Sequence, residues 1–329
     1  MRALQISELS GPDALRLVEL PDPEPSHLFT PGEGVVIDVH VAAVSFPDVL
    51  QSRGLYQFKP ELPFVPGAEV AGVVRTAPTD SGFAPGESVI GFTALGGLAE
   101  VAVAPAYLTF ALPEALDLAQ GAALVLNYHT AYFALKMRGR LREGEQVLVH
   151  GAAGGVGTAA LQVAAGLGAS TVAVVSSDEK ERVAREAGAG DVVRFEADWR
   201  EQVQDLTGGG VDLVFDPVGG DRFTDSLRSL REAGRVVVVG FTGGSIPEVR
   251  VNRLLLRNTE VIGAGWGAYV MGKPDVNREI GAALEQMIVD GVVRPIVGAR
   301  LPLARGAEAM KLIEDRRATG KVVLDVAGE

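Results

Sequence analysis

The sequence predicts an α/β protein in which a mostly-β section is joined to a doubly wound parallel sheet, and three observations lead there. Up to about residue 118, short alternating or β-branched runs such as VVIDVHVAAV (35–44) and EVAGVV (69–74) are broken by PGEG, APGE and LGG, the pattern of strands and tight turns. After that, apolar strands alternate with amphipathic helices: EQVLVHG, a helix after Gly157, STVAVVSS, DEKERVAREAG, GDVVRF, a helix at 199–206, VDLVFDPVG, DRFTDSLRSLREAG, RVVVVGF and TEVIGAGW. Such alternation predicts parallel strands covered by helices on both faces. Finally, HGAAGGVGTAALQVAAGLGA, beginning at His150, opens with four glycines in eight residues between a strand and a helix.

A chain of 329 residues exceeds the roughly 250 to 300 residues at which one core stops growing. Two domains are therefore expected, one from 1–120 together with 266–329 and the other from 121–265. The apolar stretch LAQGAALVLNYHTAYFALK reads as helix from Leu118 to the turn LREGE. Beyond 265, NREIGAALEQMIVDG and ARGAEAMKLIEDRRATG read as helices, with RPIVGARLPL and KVVLDVA as strands. These elements are too few for a core of their own, so they are expected to return to the first domain.

Composition narrows the function. Apolar residues at 47% and charged residues at 22% fit a globular chain and give no case for disorder. A net charge of −12 opposes binding to a phosphate backbone, which needs clustered Lys and Arg, so no nucleic-acid partner is expected. The absence of cysteine excludes disulfides, thiolate nucleophiles and thiolate zinc sites. The longest uncharged span, 151–177, holds six glycines and changes period midway, so no membrane span is expected. The amino-terminal MRALQISELSGPDALRL has early acids, unlike a signal peptide. Cytoplasmic residence is the expectation.

The glycine loop carries the chemistry. Each interior glycine costs roughly 0.5 to 1 kcal/mol of entropy relative to alanine, so the cluster needs a reason. Read as a dinucleotide fingerprint, its key positions are Ala152, Gly154 and Gly157. Gly154 then lets backbone approach a pyrophosphate, and Gly157 lets the helix pack on its strand. The amides of Ala153, Gly154, Gly155, Val156 and Gly157 face the phosphates at a helix N-terminus. A tight turn with no ligand is the other reading. At the end of the second strand, VAVVSSDEK places Ser176 where NAD enzymes hold the ribose with an acid. Ser176, Ser177 and Lys180, with Arg194 after the next strand, suit a 2′-phosphate instead, so NADPH is the expected cofactor. Ser176 and Glu179 also have the spacing of a capping box, and a shifted strand end would bring Asp178 into the acid's place and restore NAD.

In the order and spacing of VSFPDVLQSRGLY (44–56), PFVPGAEVAGVV (63–74), HGAAGGVGTAALQVA (150–164), DPVGG, VVVVGF and RRATGKVVLDV, the chain resembles the zinc-free medium-chain dehydrogenase/reductases of the quinone oxidoreductase group, which includes the zeta-crystallins. The resemblance spans essentially the whole length. It implies a GroES-like catalytic domain built from both chain ends, a Rossmann domain between them, an active site in a cleft and a homodimer, with 260–264 as the edge strand. Zinc-dependent relatives use a cysteine and a histidine where this chain has Ser45 and, in PGAEV, Ala68. Its histidines, at 27, 40, 129 and 150, lack metal-ligand spacing, so no metal is expected.

Many family members carry asparagine at Ser45, which with Tyr56 is a candidate catalytic residue, and an aromatic residue near Leu50, which implies a reshaped pocket here. Tyr56 matches a tyrosine that related enoyl-thioester reductases use in catalysis. It is the candidate for stabilising an enolate or donating a proton, or else it packs over the cleft. Asp48 and Arg53 read first as structural. The resemblance also places Thr130 at the nicotinamide carboxamide, Gly240 and Phe241 along the nicotinamide, and Phe195 beside the adenosine 2′-phosphate. Asp216 and Val218 end another strand where open sheets bind ligands, although Asp216 equally suits a helix cap. Trp266 lines the pocket or packs at the dimer edge. The function expected is NADPH-dependent reduction of a small quinone or other α,β-unsaturated carbonyl compound without zinc. The alternatives are a 2-enoyl-thioester reductase, against which the few basic residues near Arg53 and Lys59 count, and a non-catalytic NADPH-binding protein.

Overall fold

The alternating runs of the first section pair into an antiparallel sheet. The computed structural model describes residues 1–196 and 198–327, and its contacts divide the chain into two units. The first comprises residues 1–126, 270–281 and 295–329. It contains β1 (Arg2–Ile6), β2 (Leu15–Glu19), β3 (Gly34–Val44), β4 (Glu69–Thr76), β5 (Ser88–Phe92), β6 (Val101–Pro105) and β7 (Thr109–Ala111). The second comprises 127–269 and 282–294, with β8 (Gln146–His150), β9 (Ser170–Val175), β10 (Asp191–Arg194), β11 (Val211–Asp216), β12 (Leu230–Val238) and β13 (Glu260–Gly263). The last strands, β14 (Val297–Pro302) and β15 (Lys321–Asp325), lie in the first unit.

In the first unit, β1 and β2 form a hairpin and the larger sheet runs β14-β15-β3-β4-β5-β7, with β6 also paired to β3. The eleven-residue β3 is its axis. Val35, Ile37, Ala42 and Val44 are buried along it, in a core shared with Leu4, Ile6, Val70, Leu324 and Met310. The chain end returns to this sheet because KVVLDV is apolar enough to sit beside β3, with Val322 opposite Val44 and Leu324 opposite Ala42.

In the second unit six parallel strands take the order β10-β9-β8-β11-β12-β13. Their β-branched runs are buried on both faces, as Val147, Leu148, Val149, Val214 and Phe215 show. Counting strands within this unit, the order is 3-2-1-4-5-6, the topology of dinucleotide-binding sheets. The order reverses between β8 and β11, where Val147 pairs with Leu213 and Val149 with Phe215. The strand-edge position falls to β13.

Three local features differ from the reading of the sequence. The stretch from Leu118 breaks into helices Leu118–Ala122 and Val125–Tyr132, then widens to a π-helix at Phe133–Arg138, where Gly139 N bonds to Ala134 O at 2.7 Å. The helix in DRFTDSLRSLREAG stops at Arg228. Leu230, fully buried, instead pairs with Val211 at a β-irregularity, and Ala233 takes φ +58°. The segment 282–294 lies with the second unit: Gln162 donates to Arg294 O and accepts from Arg294 N, each at 2.9 Å. Among the described residues no helix is long and apolar enough to cross a membrane.

Candidate functional site

The loop after β8 lies at the sheet's switch point, where open α/β sheets bind ligands. Gly151, with φ +58°, turns the chain. Ala152 and Ala153 are buried, and Gly154 caps the helix Gly155–Gly166. The amides of Gly155, Val156 and Gly157 have no carbonyl a turn earlier within the helix. The two key glycines do different work. A Cβ on Gly157 would collide with the Gly151 carbonyl oxygen and lie 2.8 Å from Ala152 Cα, so this position is needed for packing. A Cβ on Gly154 would meet only Gly151 O, at 3.5 Å, and its φ of −84° suits any residue. The fold does not require glycine there. The space in front of Gly154 is open.

Beneath the loop, His150 Nε2 shares a hydrogen bond of 2.8 Å with Ser226 Oγ, and its ring meets Trp199 edge-on at 5.2 Å. Burial pushes its imidazole down to about 4, against the pull of Asp216. Asp216 is itself buried. Its Oδ1 accepts from Val218 N at 2.8 Å and Gly219 N at 2.9 Å, so it shapes the loop after β11 rather than capping a helix.

β9 ends at Val175, which leaves Ser176 as the first residue beyond the strand. The helix cap is Ser177, not Ser176: its Oγ accepts from Lys180 N at 3.3 Å. Lys180 Nζ donates to Ser176 Oγ at 3.2 Å. Asp178, the acid that would favour NAD, is ion-paired with Arg194, which also reaches Glu181 at 2.7 Å. Phe195 N bonds to Val175 O at 2.8 Å, and its half-exposed ring lies 6.3 Å from that of Trp199.

The loops after β11 and β12 are stitched together, Thr242 N to Pro217 O at 3.1 Å and Gly243 N to Val218 O at 2.8 Å. They bring Val218, Gly240 and Phe241 to one end of the sheet. Phe241 is 39% exposed. Thr130 is half-buried on the helix Val125–Tyr132. Trp266 is buried, its ring 5.5 Å from that of His129, so it does not present itself at a surface edge.

In the first unit, Ser45 is not an open pocket residue. It is 6% exposed, and its Oγ accepts from Lys321 Nζ at 2.6 Å and lies 3.4 Å from Glu69 Oε1. Lys321 and Glu69 form a buried ion pair, and Glu69 Oε2 also accepts from Leu126 N at 2.7 Å. Asp48, fully buried, accepts from Ser45 N at 2.7 Å and Gly67 N at 3.0 Å. Desolvation pushes its carboxyl up to about 6 despite those donors and Lys321. Arg53 pairs with Glu314 at 2.6 Å, tying two helices together. Tyr56 is half-buried; burial and the charge of Asp48 raise its phenol, which therefore keeps its proton at neutral pH.

Sequence reasoning missed Glu69 and Lys321. A lone lysine opening an otherwise apolar strand was the available signal, because charges are almost never fully buried unless paired. It also missed Arg222, whose guanidinium carbon stands 3.8 Å from the Phe195 ring centroid. Nothing in the linear pattern marked that contact.

Known proteins resemble this chain over both of its units. An alcohol dehydrogenase GroES-like domain model matches residues 31–114, and a zinc-binding dehydrogenase model matches 155–285. Quinone oxidoreductase-like protein 2 of Bos taurus is 39% identical over 297 residues, covering 89% of this chain and 85% of that protein. The quinone oxidoreductase of Rattus norvegicus is 34% identical over 332 residues, covering 98% and 97%. Among solved structures, the quinone oxidoreductase of Thermus thermophilus, also determined with NADPH, matches with a TM-score of 0.85 at 34% identity, covering 99% of this chain and 100% of the other.

Proposed function

We propose, from the premise that the chain belongs to the quinone oxidoreductase-like medium-chain dehydrogenase/reductases, that it is an NADPH-dependent oxidoreductase reducing a quinone or another electron-poor α,β-unsaturated carbonyl compound without zinc. The observation that carries this reading is the end of β9: a serine with Lys180 on its hydroxyl stands where an NAD-binding acid would be, and the nearby Asp178 is neutralised by Arg194. The room in front of Gly154 supports it.

In this reading the amides from Ala153 to Gly157 hold the pyrophosphate, and Ser176, Ser177, Lys180 and Phe195 hold the adenosine end. Val218, Gly240, Phe241 and Thr130 orient the nicotinamide. NADPH, when bound, supplies the hydride, and the protein supplies alignment and exclusion of water. Tyr56, kept protonated, donates to the carbonyl oxygen on which negative charge develops. A quinone needs little of that help, whereas an enone also needs a proton at its α-carbon.

The residues at the zinc-ligand position do not fit a metal. Ser45 Oγ is held by the Lys321 ammonium at 2.6 Å, a neighbour that would repel a dication. Stopped-flow or steady-state NADPH oxidation with 9,10-phenanthrenequinone and a short enone, with and without a chelator, tests the proposal. Turnover unaffected by chelator is expected. Turnover confined to an enoyl thioester would favour the 2-enoyl-thioester reductase, and tight NADPH binding with no turnover on any acceptor would make the protein a non-catalytic binder. A homodimer is part of the proposal. It is supported by the edge position of β13 and by Val251, Leu255 and Leu256 at the helix preceding it, exposed at 74%, 76% and 77%.

A further inference from the structure

The loop that follows β12 runs into the short helix Asn252–Arg257, and Val249 and Leu254 pack against the core that holds Leu227 and Val236. Between this segment and the helix Phe223–Arg228 lies a cavity of about 260 Å³, lined by Thr224, Leu227, Glu248, Val249, Arg250 and Arg253. All six residues belong to the second unit, and none is among those assigned above to the cofactor. Arg253 and the exposed Leu255 are two residues apart, about 200° around the helix, so the cavity and the proposed dimer face point different ways.

The cavity is basic in a chain whose net charge is −12. Among the described residues neither the Arg250 nor the Arg253 guanidinium makes a hydrogen bond or an ion pair, whereas Arg228 and Arg231, which follow Leu227 in the chain, are paired with Asp225 and Asp212. Two guanidiniums on one wall repel each other, and each carries the planar fork that matches a carboxylate. Glu248 lines the same cavity without pairing with either. Two arginines and one glutamate leave one positive charge, which a monoanion balances and a dianion exceeds. Leu227, 6% exposed, and Val249 supply apolar wall, and an apolar cavity of roughly 150 Å³ already holds benzene. We propose that this cavity is a second small-molecule site that takes a monocarboxylate with a short apolar arm. The carboxylate lies on Arg250 and Arg253, the arm lies against Leu227 and Val249, and Glu248 turns away dianions.

The test is fluorine NMR titration of the full chain with 4-fluorobenzoate, comparing wild type with Arg250→Gln, Arg253→Gln and Glu248→Gln, each checked for folding by circular dichroism. Wild type should bind this probe saturably, and 4-fluorobenzyl alcohol and competing inorganic phosphate at least about ten-fold more weakly. Each arginine substitution should weaken the probe about ten-fold, the scale of one charge-assisted hydrogen-bond pair. Glu248→Gln, which removes a like charge, should tighten it a few-fold. Saturating NADPH should leave its affinity unchanged. Displacement of the probe by NADPH would place it in the cofactor site and overturn the proposal. So would an absence of saturable binding, an affinity unmoved by both arginine substitutions, a loss of affinity in Glu248→Gln, or phosphate binding tighter than the probe. Wild type binding the probe but not NADPH would leave this site standing and remove the cofactor reading alone.

Discussion

Lys321 Nζ donates to Ser45 Oγ at 2.6 Å across 276 residues of sequence, joining the last strand to the start of the helix Phe46–Ser52. The same ammonium neutralises Glu69, which is fully buried. Removing one partner of a buried pair leaves an uncompensated charge, typically about 3 to 5 kcal/mol of destabilisation. Lys321→Met is expected to lose about that much in urea unfolding. The double variant Lys321→Met/Glu69→Gln should recover a large part, since Gln still accepts from Leu126. A double variant as unstable as the single one would refute the charge-pair account.

The two glycines of the loop should separate cleanly. Gly154→Ala meets only Gly151 O at 3.5 Å, so its melting temperature should stay near wild type, while NADPH binding should weaken at least about ten-fold if, as proposed, the pyrophosphate lies against this backbone. Gly157→Ala drives Cβ into backbone and is expected to destabilise the fold by several kcal/mol, at or beyond the roughly 1 to 3 kcal/mol of ordinary overpacking. Scanning calorimetry and titration on both variants give the comparison. Loss of stability in Gly154→Ala without loss of binding would reverse the assignment.

Tyr56→Phe removes the phenol that burial and Asp48 keep protonated. Turnover of an enone should fall about 100-fold or more, the range of general acid catalysis, with quinone turnover reduced only a few-fold. Equal losses on the two acceptors, or none on either, would count against Tyr56 as the proton donor.

Two buried groups give opposite pH dependences. His150 titrates near 4 in the folded protein but near 6.5 when unfolded, so its contribution is present above about 6.5 and is lost as pH falls through 4. Asp48 titrates near 6 when folded but near 3.9 unfolded, so its contribution is greatest in acid and is lost as pH rises through 6. The advantage of wild type over His150→Gln should therefore shrink, on the order of 2 kcal/mol, between pH 7 and 4.5. Its advantage over Asp48→Asn should grow across the same interval. Parallel stability curves for wild type and either variant would rule out that group as the cause.

The exposed apolar side chains at the helix that precedes β13 predict assembly. Wild type should sediment as a dimer, and Leu255→Glu/Leu256→Glu, which sets charge on side chains already 76% and 77% exposed, should sediment as a folded monomer. Identical sedimentation of the two proteins would place any interface elsewhere.

How much was legible depended on how local the cause was. The strand, loop and helix around His150 to Gly166 follow from apolar period and glycine placement within some twenty residues, and so do the serines after β9. The helix through Leu230 was misread because its period was helical while its burial depended on pairing with Val211, nineteen residues upstream. Ser176 lost the cap to Ser177 because strand β9 ended one residue before it.

Legible in the sequence alone were the parallel sheet, the glycine-rich loop between strand and helix, the serines after β9 and the lack of cysteine ligands, because period, glycine and residue type act over short spans of chain. Only the tertiary structure decided that Ser45 is held by Lys321 and Glu69, that Arg194 is matched by two carboxylates, and that Arg222 lies on Phe195. Burial turns a charge from a solvated ornament into a group that must find a partner, and which partner is within reach is set by strand order and the return of distant segments, not by spacing along the chain.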